Sequence, residues 1–173
     1  MDRVCIFIDG SNFYHGLKHN IHKTNIDFYK FSMMLCGDKR KLIRTYYYNA
    51  PLNREDDEER YRSQQRFFTV LRNTSYLEIK LGRLVNRNGV HVEKGVDIYL
   101  AVDMLRYAFD DTYDTAILVS GDGDFASAVS AVRDLGKHVE HAYFRTGEST
   151  HLRESCDVRV DLDDKILEPC FIA

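Results

Sequence analysis

Two kinds of segment alternate along the chain, short unbroken apolar runs and longer stretches with helical periodicity. Arg3-Val-Cys-Ile-Phe-Ile8 and Thr115 to Val119 have the length and composition of strands buried on both faces. Leu42 to Tyr48 is rich in β-formers and is closed by Asn49-Ala-Pro51, while Leu77, Ile79 and Leu81 alternate with Glu78 and Lys80 as a half-exposed strand does. Val139 to Phe144 and Val158 to Val160 supply two more strands. Asn88-Gly89, between Leu84-Val85 and Val90 to Val92, marks a hairpin.

Helical spacing predicts a short helix carrying Phe13, Tyr14 and Leu17, capped by Ser11 or Asn12, and another over Asp27 to Leu35. Arg54 to Arg72 reads as a long helix, acidic at its start and basic towards its end in keeping with the helix dipole. Its apolar stripe is Tyr61, Phe68 and Leu71. A further helix places Ile98, Ala101, Val102, Leu105, Ala108 and Phe109 at 3.6-residue spacing. The next buries Phe125, Ala128, Val129, Val132 and Leu135 and ends at Gly136, and a short one covers Ser149 to Glu154. Strands alternating with helices give an α/β fold of three layers, a mainly parallel central sheet with helices on both faces. The hairpin is an antiparallel addition.

A length of 173 residues suits one domain over residues 1–173, with a core over about 3–161 and a short C-terminal tail. With 44% hydrophobic and 29% charged residues the composition is globular and argues against disorder. The apolar run at the start is too short for a signal peptide or a membrane span, so no membrane partner is expected. Cys5, Cys36, Cys156 and Cys170 form no Cys-x-x-Cys pair, which argues against a zinc site or disulfide framework and makes a reducing cytoplasm the expected setting. A formal net charge of −3 gives no general attraction for nucleic acid, so polyanion binding would have to come from a local patch or a metal.

The aspartates give that last point its direction. Ile6-Phe-Ile8 runs into Asp9, and Ile117-Leu-Val119 runs into Ser120-Gly-Asp122-Gly-Asp124. Parallel strands would carry both motifs to one sheet edge, and Asp97, opening a helix, should face that edge too. Each has an ordinary reading: Asp9 as an Asp-Gly turn, Asp122 or Asp124 as a helix cap, Asp97 as a first-turn acid. Together they read as a site. Four carboxylates converging without cations repel and raise one another's pKa, and a hard divalent cation with oxygen ligands, Mg²⁺ or Mn²⁺, relieves this. Asn12 either caps the first helix or bonds a phosphate or metal-bound water. Asp103 lies too far round the helix from Asp97 to share its direction, and a surface pair with Arg106 or a supporting bond behind the ligands is expected in place of direct ligation.

Val4 to Asn12 (VCIFIDGSN), Lys94 to Leu105 (KGVDIYLAVDML) and Ile117 to Phe125 (ILVSGDGDF) resemble the NYN family of PIN-like, LabA-like nuclease domains, over about residues 3–161. The resemblance implies a PIN-like fold with an acidic Mg²⁺ site at the carboxyl edge of the sheet, and nuclease activity on RNA. It implies metal-binding, catalytic roles for Asp9, Asp97, Asp122 and Asp124, and supporting, substrate-side positions for Asn12 and Ser120. Pairing into a homodimer is a further implication of the superfamily. In phosphodiester hydrolysis the metal activates water and stabilises the leaving oxygen. Asp9 and Asp122 follow the two central strands and are assigned as direct ligands. Asp97 and Asp124 would hold a second ion, orient water or stand behind the ligands.

Two groups of basic residues are candidates for tracking a single-stranded RNA backbone: Arg83, Arg87, His91 and Lys94 near the hairpin, and His141, Arg145, His151 and Arg153 beyond the last main strands. Tyr46, Tyr47 and Tyr48 offer base-stacking rings, but a strand turns every second one inwards, so a mainly structural role is expected. Ser11, where a haloacid-dehalogenase-like phosphatase needs a second aspartate, argues against that chemistry, and Tyr48-Asn49-Ala50 has no phosphoacceptor for a receiver domain. The rival expectation is a catalytically weak PIN-like module that binds RNA or a protein.

Overall fold

The computed structural model describes residues 1–173 apart from the side chain of Glu93. Its central sheet contains β1 (Arg3–Asp9), β2 (Lys41–Asn49), β3 (Leu77–Leu81), β6 (Thr115–Val119), β7 (His138–Tyr143) and β8 (Val158–Asp161) in the order β3-β2-β1-β6-β7-β8. All five pairings are parallel. From β1 the chain winds outwards through β2 and β3, then returns to the other side of β1 with β6 and winds outwards again. The direction reverses between β1 and β6, and a crevice opens there at the carboxyl ends of the strands.

Side chains alternate across the sheet into two apolar layers. Val4, Ile6, Ile8, Tyr47, Ile117 and Val119 face α1 (Gly10–Gly16), α2 (Phe28–Cys36), α3 (Glu58–Arg72) and α7 (Asp164–Leu167). Cys5, Phe7, Tyr46, Tyr48, Ala116 and Leu118 face α4 (Val96–Phe109), α5 (Ala126–Asp134) and α6 (Thr150–Ser155). With both faces covered, Tyr46, Tyr47 and Tyr48 are all buried. The sheet's two-sided burial, rather than alternation, removes that run from any base-stacking role. The four cysteines are free thiols.

Most predicted elements lie within a residue or two of their observed bounds, and the differences have local causes. α3 begins at Glu58 because Asp57 accepts the Arg60 amide as N-cap; residues 54–57 precede the helix. The cap of α1 is Asp9, one residue ahead of the Gly10 that opens it, and neither Ser11 nor Asn12. Leu135 is the C-cap of α5 and stays exposed.

α4 buries Val96, Leu100, Met104 and Ala108, about one residue round from the predicted stripe, and leaves Ile98, Val102 and Phe109 at the surface. Apolar residues almost encircle this helix, so periodicity alone offers two faces. Asp103 lies on the buried one, accepting a hydrogen bond from the Tyr48 hydroxyl at 2.8 Å and pairing with Arg106 at 3.0 Å. The expected pair with Arg106 forms, but the Asp103 carboxyl is buried and is also held from the sheet. The tail is also ordered into the core: Leu162, Leu167 and Cys170 are buried, and Phe171 bridges to Ile26.

The predicted hairpin is a separate antiparallel ribbon, β4 (Arg83–Arg87) and β5 (Val90–Lys94). Asn88 at φ 53° and Gly89 at φ 81° make the turn with both central residues left-handed, which matches the strand twist. No helix among the described residues is long and apolar enough to cross a membrane.

Candidate functional site

Where β1 and β6 end side by side, their loops are bonded to each other. The Asp9 carboxylate accepts the Asn12 amide at 3.3 Å through one oxygen and the Ser120 hydroxyl at 3.2 Å through the other. Ser120 Oγ in turn accepts the Asp122 amide at 3.1 Å, and the Asp122 carboxylate accepts the Asp124 amide at 2.9 Å. The Asn12 side-chain oxygen accepts the Gly121 amide at 3.0 Å. The amides of Asn12, Gly121, Asp122 and Asp124, freed where strands end and helices start, are thereby met by side chains, which ties the crevice walls together.

A buried histidine supports this arrangement from below. His141 on β7 is fully buried and donates its Nε2–H to the Ser120 carbonyl at 2.6 Å. Burial pushes its pKa down, so the imidazole is held neutral, with the hydrogen bond to Ser120 opposing the shift. Its Nδ1 finds no hydrogen-bond partner among the described residues.

The crevice is a cavity of about 460 Å³ lined by Asp9, Ser11, Asn12, His15, His19, Asn20, Asp97, Asp122, Phe144 and Thr146, with Gly16, Gly121 and Gly147 at its wall. Gly121 is required there, since a Cβ would stand 2.5 Å from the Gly147 carbonyl oxygen of the loop that follows β7. Asp97 lies in the first turn of α4, after Gly95 turns the chain at φ 83°. Its carboxyl pKa is raised by desolvation and by the negative charges of Asp122 and Asp124, which brings all three acids into one electrostatic neighbourhood.

Three of the four predicted acids, Asp9, Asp97 and Asp122, therefore line one cavity, while Asp124 is exposed beside it. Asn12 also lines it, with its side-chain oxygen engaged in joining the two loops. Ser120 is buried beneath, its hydroxyl turned to Asp9 and its oxygen to the Asp122 amide. Arg83, Arg87 and Lys94 are exposed on one face of the β4–β5 ribbon and outside the cavity lining, with Arg83 opposite Lys94. His91 on the other face pairs with Asp56 at 2.8 Å. Of the second basic group, His141 is buried, while Arg145 and Arg153 pair with Asp161 and Glu148. The lining residues His15, His19, Asn20, Phe144 and Thr146 were not among those predicted. His15 and His19 share the face of Asn12 at helical spacing, a signal present in the sequence.

The donor set is all oxygen on the acidic side, which suits a hard cation. Among the described residues, however, no three His, Cys, Asp or Glu side chains stand close enough to form a ready-made ligand cage. Mg²⁺ is commonly held by one or two carboxylates with several retained waters, and the Asp9 and Asp122 carboxylates both line this cavity.

The NYN domain family model matches residues 3–163. The chain belongs to the NYN domain family. That family sits within the PIN-like nuclease superfamily, so the role is RNA-related and of nuclease type at this coarse level. A curated NYN relative, the low amplitude and bright protein LabA of Synechococcus elongatus, is 24% identical over 165 residues, covering 94% of this chain and 84% of LabA. A crystal structure of a protein of unknown function from Vibrio parahaemolyticus has the same fold at a TM-score of 0.76, with 24% identity and 94% of each chain covered.

Proposed function

We propose that this NYN domain is a divalent-metal-dependent ribonuclease whose centre is the cavity between β1 and β6. The observation that carries the reading is the convergence of Asp9, Asp97 and Asp122 on one cavity at the carboxyl edge, with Asp97 charged against Asp122 and Asp124. Carboxylates placed so close without a cation oppose one another, a cost retained where it serves a ligand.

Asp9 and Asp122 are the residues that would hold Mg²⁺ or Mn²⁺. When bound, the ion supplies an activated water and stabilises charge on the scissile phosphate. Ser120 and the Asn12 amide fix the Asp9 carboxylate, leaving little freedom in where its oxygens point. Asp97 lines the same cavity as Asp122 and would orient the water, and Asp124 adds negative charge from beside it. Asn12 holds the Gly121 loop against α1 and keeps the cavity open.

The test is cleavage of end-labelled single-stranded RNA in Mg²⁺, Mn²⁺ or EDTA, with Asp9→Asn combined with Asp122→Asn as the control. Metal-dependent cutting that disappears in the double variant supports the proposal. The second reading, a catalytically weak module that binds RNA or a protein, is favoured by the lack of a ready-made three-ligand cage among the described residues. A folded protein that binds Mg²⁺ and RNA but cuts no RNA tested would establish it instead.

A further inference from the structure

A nuclease centre lined by three carboxylates must also receive a polyanion, and the cavity's other wall bears on how. Of the described residues lining it, none is Lys or Arg; the only side chains able to carry positive charge are His15 and His19. The basic residues of the β4–β5 ribbon do not reach the lining. Resting on the proposal that the cavity binds RNA, we propose that His15 and His19 form a phosphate-binding subsite for the strand running out of the acidic centre.

Three observations on one helix support this. Asn12, His15 and His19 lie three and four residues apart, so they share one face of α1 and its continuation. His15 lies about 4.5 Å along the axis from the Asn12 end and His19 about 10 Å, a line leading away from Asp9. Their rings are 6.2 Å apart between centroids and tilted 57° to each other, close enough to act on neighbouring phosphate oxygens without lying parallel.

Next, the helix departs from α geometry in this stretch. Leu17–Ile21 is a π-helical turn, a rare feature concentrated at functional sites. Asn20 holds the wide turn in place, donating to the Gly16 carbonyl at 2.9 Å and accepting the Thr146 amide at 3.3 Å from the loop after β7.

Finally, the residue between the two imidazoles on this face is Gly16. A Cβ there would lie 2.2 Å from Phe144 Cδ2, so the helix rests directly on the Phe144 ring, which itself lines the cavity beside the two imidazoles. The acidic side chains that line the cavity with them are Asp9, Asp97 and Asp122, and Lys18 lies between the two histidines in sequence. Imidazolium N–H groups on this wall would meet phosphate oxygens while the carboxylates keep to the metal side.

The experiment follows binding of fluorescein-labelled decauridylate by anisotropy at pH 6.0 in EDTA, where no cutting occurs, over a range of salt. The expected result is that His15→Gln with His19→Gln weakens binding about tenfold. The slope of log K against log salt should become shallower by up to about 1.4, the value for two phosphates no longer neutralised on a single strand, with thermal unfolding unchanged. Unchanged affinity and slope in the double variant overturn the subsite, even if the wild-type protein cuts RNA in Mg²⁺. Inorganic phosphate bound as tightly as the oligonucleotide overturns the assignment to a strand. Should the wild-type protein never cut RNA and yet show the slope change, the nuclease reading falls and the subsite stands.

Discussion

Replacing Asp97 with Asn separates a carboxylate kept for a ligand from one kept for the fold. In the folded protein its pKa is raised above the ordinary 3.8 by desolvation and by Asp122 and Asp124. The folded state therefore binds the proton more tightly than the unfolded chain, so this group favours folding at low pH and the benefit is lost as pH rises from about 3.8 through the raised value. At pH 7 its ionised form opposes folding. Asp97 is exposed to solvent, so the opposition is screened, and removing the charge is worth at most about 1 kcal/mol. For a domain of this size that is roughly 2–4 °C in melting temperature. Asp97→Asn in EDTA should melt that much higher than wild type. With Mg²⁺ at ten times its Kd, wild type should gain about 1.4 kcal/mol and the variant markedly less. The assay is a pair of thermal melts for each protein, with EDTA and with Mg²⁺. A variant that melts lower in EDTA, or gains as much from Mg²⁺ as wild type, would refute the reasoning, because Asp97 would then be supporting the fold instead of facing a ligand.

Other substitutions test the scaffold around the cavity. Ser120→Ala removes the buried donor to Asp9 and leaves the Asp122 amide without its acceptor, so urea unfolding should show a loss of about 2–4 kcal/mol, and Mg²⁺ affinity by calorimetry should fall 10- to 100-fold. Gly121→Ala drives a Cβ into the Gly147 carbonyl, and cleavage and RNA binding should both fall with a clear drop in melting temperature. His141 is held neutral by burial, so the unfolded chain takes up its proton first as pH falls below about 6.5; stability by urea melts should decline below that pH and flatten again only under the lowered folded value. His141→Gln should reduce that decline. Tyr48→Phe leaves buried Asp103 without its hydroxyl donor and should cost about 1–3 kcal/mol in the same measurement.

Elements with one dominant signal were legible in the sequence. The runs at Val4 to Ile8 and Thr115 to Val119 had a single reading because no polar residue interrupts them, and Asn88-Gly89 fixed its hairpin through turn chemistry alone. α4 was legible as a helix but not in its orientation. Its buried face includes Asp103, which periodicity assigns to solvent, and that choice depends on a hydroxyl from β2 that is 55 residues distant in sequence. The final turn at Asp164–Leu167 is not legible for a related reason: four residues carry too little period to declare a helix, and only Leu167 among them reaches the core. For Ser120 the motif leaves open whether it fixes the loop or touches phosphate, and its hydrogen bonds to Asp9 and the Asp122 amide accord with the first.

The acidic centre could be anticipated because strand order does much of the work. Once β1 and β6 are parallel neighbours, with Ile8 beside Val119, whatever follows each strand must meet the other at the same edge. Asp9 and Asp122 are then brought together by backbone hydrogen bonding before any side-chain contact is considered. The wall carrying His15 and His19 has no such guarantee. It arises from a π turn, a glycine resting on Phe144 and the bonds of Asn20, none of which changes the hydrophobic pattern. The two halves of the cavity thus differ in how they are specified. The acidic half follows from the topology common to open parallel sheets, where the crevice must form, while the histidine half depends on local features of this chain. Differences in substrate among proteins of this fold should accordingly arise at the second wall and leave the first in place.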